Sequence, residues 1–205
     1  MRKLLDRYNA CLARRPLFTG MISSGVIGGL GDILCQFIEI NFDFKPDRAK
    51  AQEIECEQQA PSKKQNIDYH RSKSFFLLNT LWMSPIYFVH YTKVLPYLVP
   101  VVTSTSVFKK LVVDQLMLAP LYILSFYPVM NFIEGISFDQ SKKDIEQKYW
   151  ITLKSNMQTW GPASFINFYL MPVKYQLLFS NFVALFFNAY LSFMHNTYEF
   201  EIAHI

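Results

Sequence analysis

Between Tyr175 and Met194 the chain carries no charged side chain for 20 residues, and that run constrains the fold more than any other feature. About 20 mostly apolar residues, wound as an α-helix, reach across the roughly 30 Å hydrocarbon core of a bilayer. Polar side chains recur at a fixed interval through this run and ahead of it: Asn167, Lys174, Asn181, Asn188 and His195 stand seven apart. Seven residues at about 3.6 per turn return to nearly the same face, with a drift of about 20°. On one helix these groups form a stripe. A polar group turned to lipid without a partner costs several kcal/mol, so the stripe predicts other helices or a wet cavity on that side. Pro172 removes a backbone donor and crowds the preceding turn, so it is expected to interrupt the helix between Asn167 and Lys174.

Three further apolar runs lie upstream, over 17–38, 74–92 and 111–133. In the first, Gly20, Ser24, Gly28, Asp32 and Gln36 recur every fourth residue, a spacing that lets membrane helices pack closely. Asp32 has two readings: a group on a permeation or proton-linked route, or a carboxylate satisfied by hydrogen bonds across the seam. The plainer second reading is preferred. The next run carries Asn79, His90 and a Ser84-Pro85 kink, and its connection onward through Lys93, Pro96 and Pro100 reads as irregular. The third opens on Asp114 and Gln115 and contains Pro120 and Pro128. Charged stretches over 39–73 and 134–154 read as polar loops. The segment 155–195 reads as one kinked or broken membrane element, because Asn156, Gln158, Gly161, Pro162 and Ser164 spoil a lipid-facing helix.

Composition agrees with a membrane location: 51% of residues are hydrophobic, 17% aromatic and only 18% charged, well below the usual charged share of a soluble domain. The net charge of +4 is carried by residues 1–16, which read as an amphipathic helix with Leu4, Leu5, Tyr8 and Leu12 on one face. Arg14 and Arg15 there, with Lys109 and Lys110 ahead of the third run, suit anionic lipid head groups, cardiolipin among them. The aromatic residues lie apart from the basic cluster, so nucleic acid is not expected as a partner. Cys11, Cys35 and Cys56 are odd in number and form no CxxC pair, so neither a disulfide framework nor a metal site is expected. No phosphate loop, no triad and no paired carboxylates in a cleft are recognisable. The chain is expected to be no enzyme and to hold no cofactor. Its fold class is all-α, an integral membrane bundle of Pro-kinked helices forming a single domain over 1–205.

Several blocks resemble one known family. Trp160, then Asn167-Phe168-Tyr169-Leu170, Pro172, Tyr175 and Asn188-Ala189-Tyr190-Leu191-Ser192 are similar to the C-terminal signature of the Mpv-seventeen/peroxisomal membrane protein twenty-two family. Upstream, Gly29-Leu30-Gly31-Asp32 with Gln36, Asp68 with Arg71, Lys109-Lys110-Leu111, Asp114-Gln115 and Ala119-Pro120 follow in family order, and Tyr8, Leu12 and Pro16 fit its opening helix. Pro162 stands two residues after the tryptophan rather than next to it, and Ser164 stands where a glutamine is common. The resemblance implies about four spans with both termini on one side. Two full crossings over 155–195 would make five. It also implies retention of the N-terminal helix rather than its removal as a transit peptide. The location implied is the mitochondrial inner membrane, with the peroxisomal membrane as the alternative.

Two functions follow as expectations. One is a small channel or metabolite pathway lined by Asp32, Gln36, Asp114, Gln115, Asn167, Lys174, Asn181 and Asn188. The other is a structural accessory subunit in which these groups satisfy one another and the 39–73 loop docks on a larger membrane assembly such as a respiratory complex.

Overall fold

The computed structural model describes residues 8, 10–11, 13–42, 66–100, 104–171 and 173–196. Among the described residues there are five long helices and no strand. α1 is Pro16–Phe42. α2 runs over 69–98 and α3 over 104–134, each as one helix interrupted by π turns. α4 is Phe138–Tyr169 and α5 is Val173–Asn196. Of the helix expected over 2–15, residues 8, 10, 11, 13 and 14 are described and helical, and the rest lies outside the described residues.

The π turns explain how prolines sit inside membrane-length helices. They cover Leu78–Met83, His90–Val94 and Asp114–Leu118, and Pro85, Pro96 and Pro120 each follow two residues after the turn ends. A proline has no N–H to give and its ring crowds the carbonyl four residues back. The preceding residue instead reaches one carbonyl further: Ser84 N–H to Asn79 O, Leu95 to His90 and Ala119 to Asp114. One extra residue per turn rotates the downstream face by about 100°. The irregular connection expected through Lys93 and Pro96 is therefore helical as far as Leu98.

A second correction concerns 134–154, read as a polar loop. α3 ends at Glu134, and Gly135, at φ 73°, caps it. The Gly135 N–H reaches Phe132 O and the Ile136 N–H reaches Asn131 O, so the last turn closes on itself. Ser137 then caps α4 by accepting from the Gln140 N–H. Most of the supposed loop is thus the first half of a 32-residue helix. That helix continues unbroken through Gly161 and Pro162 to Tyr169, and the turn formed by Leu170 and Met171 lies between Asn167 and Lys174. Pro172 itself lies outside the described residues.

The five helices form a closed ring. Successive helices run antiparallel, as their pairings show: Gly20 beside Ser84 and Gln36 beside Asp68 for α1 and α2, His90 with Asp114 and Phe75 with Phe126 for α2 and α3. Tyr127 with Thr152 joins α3 to α4, and Trp160 with Phe187 joins α4 to α5. α5 then returns parallel to α1, so close that a Cβ on Gly31 would lie 2.5 Å from Asn188 Cβ and 2.9 Å from the Leu185 carbonyl.

The packing is inverted relative to a soluble protein. α1 exposes Phe18, Ile22, Val26, Leu30 and Phe37 while burying Asp32 and Gln36. α4 buries Ser141, Asp144, Lys148, Thr152, Asn156 and Asn167 along one face and exposes Trp150 and Phe165. Two helical stretches, Pro16–Asn41 and Phe108–Glu134, are long and apolar enough to cross a membrane.

Candidate functional site

The expected polar residues divide into two places in the ring. At one end, where α1 finishes and α2 begins, Asp32 is fully buried. Its Oδ1 accepts from Arg71 Nε at 2.7 Å and from Ser192 Oγ at 2.5 Å. Oδ2 accepts from Gln36 Nε2 at 2.7 Å and from Ser72 Oγ at 2.6 Å. Gln36 also takes the Asp68 N–H at 2.6 Å and gives to the Asp68 carbonyl at 2.9 Å, which fixes the approach to α2. Asp68 in turn caps α2 by accepting from the His70 and Arg71 N–H groups. Arg71 completes the network through Glu39 at 2.8 Å and Ser192 at 2.6 Å. Burial alone would lower the Arg71 pKa. The hydrogen bonds that Arg71 gives to Glu39 and the charges of Asp32 and Glu39 outweigh it, so the guanidinium is held above its ordinary value and stays charged. Every polar atom of the Asp32 carboxylate has protein donors, which matches the satisfied-carboxylate reading.

The same end holds a second buried network. Asn131 donates to Ser141 and Asp144, Lys148 reaches Asp144 and the His195 carbonyl, both at 3.2 Å, and His195 Nε2 lies 2.8 Å from Glu134.

Towards the other end the ring lines a half-open cavity of about 370 Å³ to which all five helices contribute. α1 gives Ser24 and Ile27; α2 gives Asn79, Tyr87 and Tyr91; α3 gives Asp114, Gln115, Leu118, Ala119 and Tyr122. α4 gives Asn156, Trp160, Ser164 and Asn167, and α5 gives Ser180, Asn181, Ala184, Phe187 and Asn188. The seven-residue stripe therefore places Asn167, Asn181 and Asn188 together on one space. The backbone of Lys174 lies in the first turn of α5, and its side chain is outside the described residues. Asp114 is held by His90 at 2.6 Å and by the Tyr91 hydroxyl at 3.0 Å. Asn188 accepts from Asn79 at 3.2 Å. Two amide oxygens on the lining, Gln115 Oε1 and Asn167 Oδ1, are buried with no partner.

Between the cavity and the Asp32 network lies an apolar layer: Phe75, Leu78, Ile123, Phe126, Tyr127 and Leu191, all fully buried. No residue pattern marks this layer in advance, because its residues are ordinary core types. Arg71 was visible only through its resemblance to a family position. The remaining expected residues lie on the surface: Arg14, Arg15 and Lys109 are exposed and Lys110 is half-buried, at the end where α1 and α3 begin. Of the expected docking loop, residues 43–65 lie outside the described residues.

A closed helical ring with aliphatic and aromatic side chains outward and amides, carboxylates and hydroxyls inward is the arrangement of an integral membrane protein. Comparison with known proteins makes the assignment particular. The sequence profile of the Mpv17 / PMP22 family matches residues 131–192. The chain is 35% identical to protein SYM1 of Candida albicans over an alignment that covers 95% of this chain and 97% of that one. It is 28% identical to the mitochondrial inner membrane protein Mpv17 of Caenorhabditis briggsae, covering 97% and 96%, and 28% identical to peroxisomal membrane protein 2 of Bos taurus, covering 93% and 89%. The chain belongs to the Mpv17 / PMP22 family. The expected location, the mitochondrial inner membrane with the peroxisomal membrane as alternative, matches these relatives. No solved structure matches the chain.

Proposed function

We propose that this protein is non-catalytic and provides a small, gated permeation pathway for metabolites. The observation that supports it most is the cavity lined by all five helices, which carries amides and a carboxylate among apolar side chains and leaves two buried amide oxygens unpartnered on its wall. A buried acceptor without a partner costs about 1–3 kcal/mol, and a wall that bears this cost suits weak, multi-site contact with a passing solute. The fully buried apolar layer beyond the cavity suits a hydrophobic gate, which a solute crosses only when the layer loosens or wets.

The direct test is reconstitution of the purified chain in liposomes or a planar bilayer. Asn181→Leu combined with Asn188→Leu replaces two of the three stripe amides that line the cavity by groups that cannot hydrogen-bond, and solute flux should fall at least ~10-fold while the protein still melts cooperatively. Absence of flux from the parent protein would remove the pathway. Migration of the native protein within a large assembly, on gentle detergent extraction, would favour the accessory-subunit role instead.

The basic residues at the ends of α1 and α3 support contact with anionic lipid, cardiolipin included. Each lysine or arginine near such a surface contributes about 1 kcal/mol. Changing Arg14, Arg15, Lys109 and Lys110 to glutamine should lower the cardiolipin that co-purifies with the protein, measured by mass spectrometry, with little change in melting temperature. Unchanged cardiolipin would show that these four residues do not hold it.

A further inference from the structure

The chemistry of the cavity wall narrows the solute. Resting on the permeation reading above, we propose that the cavity is a binding site for a small, neutral, hydroxyl-rich solute, a sugar or polyol of about hexose size. The two unpartnered atoms point to it. Asn167 is only 9% exposed, and its Nδ2 donates to Ser180 Oγ at 3.0 Å while its Oδ1 has no partner. Gln115 presents a second buried oxygen without a partner from the helix on the other side of α4. A hydroxyl both donates and accepts, so it satisfies such an amide whichever way the group is turned. An ionised carboxylate or phosphate oxygen only accepts, so with the amides turned as they are here it leaves both oxygens without a donor.

Charge on the wall points the same way. Among the described lining side chains Asp114 is the one formal charge, and His90 and Tyr91 already hold it. An anion entering here meets that carboxylate, with no lysine or arginine among the described lining residues to offset its lost hydration. Trp160 and Tyr122 supply aromatic rings to the lining, and aromatic rings suit the C–H faces of a sugar while amides suit its hydroxyls. About 370 Å³ is at the small end of ligand cavities, which run from roughly 300 to 1,000 Å³.

The test uses the full chain in detergent with D-glucose and with glucuronate, which has the same ring but carries a carboxylate. Saturable binding is followed by equilibrium dialysis of labelled probe. Glucose should bind at least ten-fold more tightly than glucuronate. Gln115→Leu and Asn167→Leu should each weaken glucose binding at least ten-fold. Should Asn167→Leu fail to fold, Gln115→Leu, checked by its melting temperature, decides alone. Glucuronate binding as tight as glucose, no saturable glucose binding, or unchanged affinity in a folded Gln115→Leu protein would each overturn the proposal. Flux in liposomes separates it from the pathway. Saturable glucose binding without passage keeps the site and removes the pathway, whereas equal passage of both probes without saturable binding removes the site and keeps the pathway.

Discussion

Replacing Asp32 by leucine is expected to unfold the ring. The carboxylate gathers four donors from three helices, Arg71 and Ser72 on α2, Ser192 on α5 and Gln36 on α1. Removing it leaves the Arg71 guanidinium, 13% exposed, with Glu39 as its remaining acidic partner. Breaking a buried pair by removing one member typically costs about 3–5 kcal/mol, a large part of the roughly 5–15 kcal/mol that holds a folded domain together. The melting temperature of detergent-extracted protein should fall steeply and the amount in membranes with it. Glu39→Gln should cost less, because that side chain sits at the rim and is 15% exposed. Asp32→Leu combined with Arg71→Met should regain part of the loss, since replacing both members by apolar groups is often close to neutral. An Asp32→Leu protein that melts with the parent would mean that the network does not hold the ring together.

The second large effect is expected at Leu191. It is fully buried in the apolar layer, three residues past the cavity amide of Asn188 and next to Ser192 of the Asp32 network. A serine there extends the polar face of α5 through the layer. On the permeation reading, flux through reconstituted Leu191→Ser should rise at least ~10-fold, at a cost of about 2–5 kcal/mol in stability for the lost side chain. Leu191→Ala removes similar volume without adding a hydroxyl, so it should loosen the protein with a smaller rise in flux. Equal flux in the parent and in a cooperatively melting Leu191→Ser protein would place the barrier somewhere other than this layer.

Much of the architecture could be read from residues because lipid imposes simple rules. The runs at 17–38, 74–92 and 111–133 lie within helices, and the seven-residue spacing of Asn167, Asn181 and Asn188 does bring those amides to one cavity. It does so across two helices, since residues 170–171 form a turn and the stripe is folded back on itself. The supposed loop at 134–154 shows where counting charges misleads. Ser137 and Gln140 stand at the spacing of a capping box behind a helix-ending glycine, and Ser141, Asp144, Lys148 and Thr152 repeat at helical intervals. Their polarity hid a helix whose buried face is the polar one. Asp32 and Gln36 fell into the cavity group by type, but their partners at 68–72 and 192 are remote in sequence and no local pattern names them. The π turns were equally out of reach, because a proline signals disturbance without saying that the helix widens to absorb it.

The parallel return of α5 onto α1 also sets an order of assembly. Asp32 is made early and Ser192, which bonds it, stands 160 residues later, so the ring cannot close until the last helix has left the ribosome. Loop closure over such a separation is slow and entropically costly, and until it happens the α1 face of Gly31 and Asp32 has nothing from α5 against it. A chain cut short before Ser192 would stay in that unfinished condition, with its carboxylate seam presented to whatever quality-control machinery surveys the membrane.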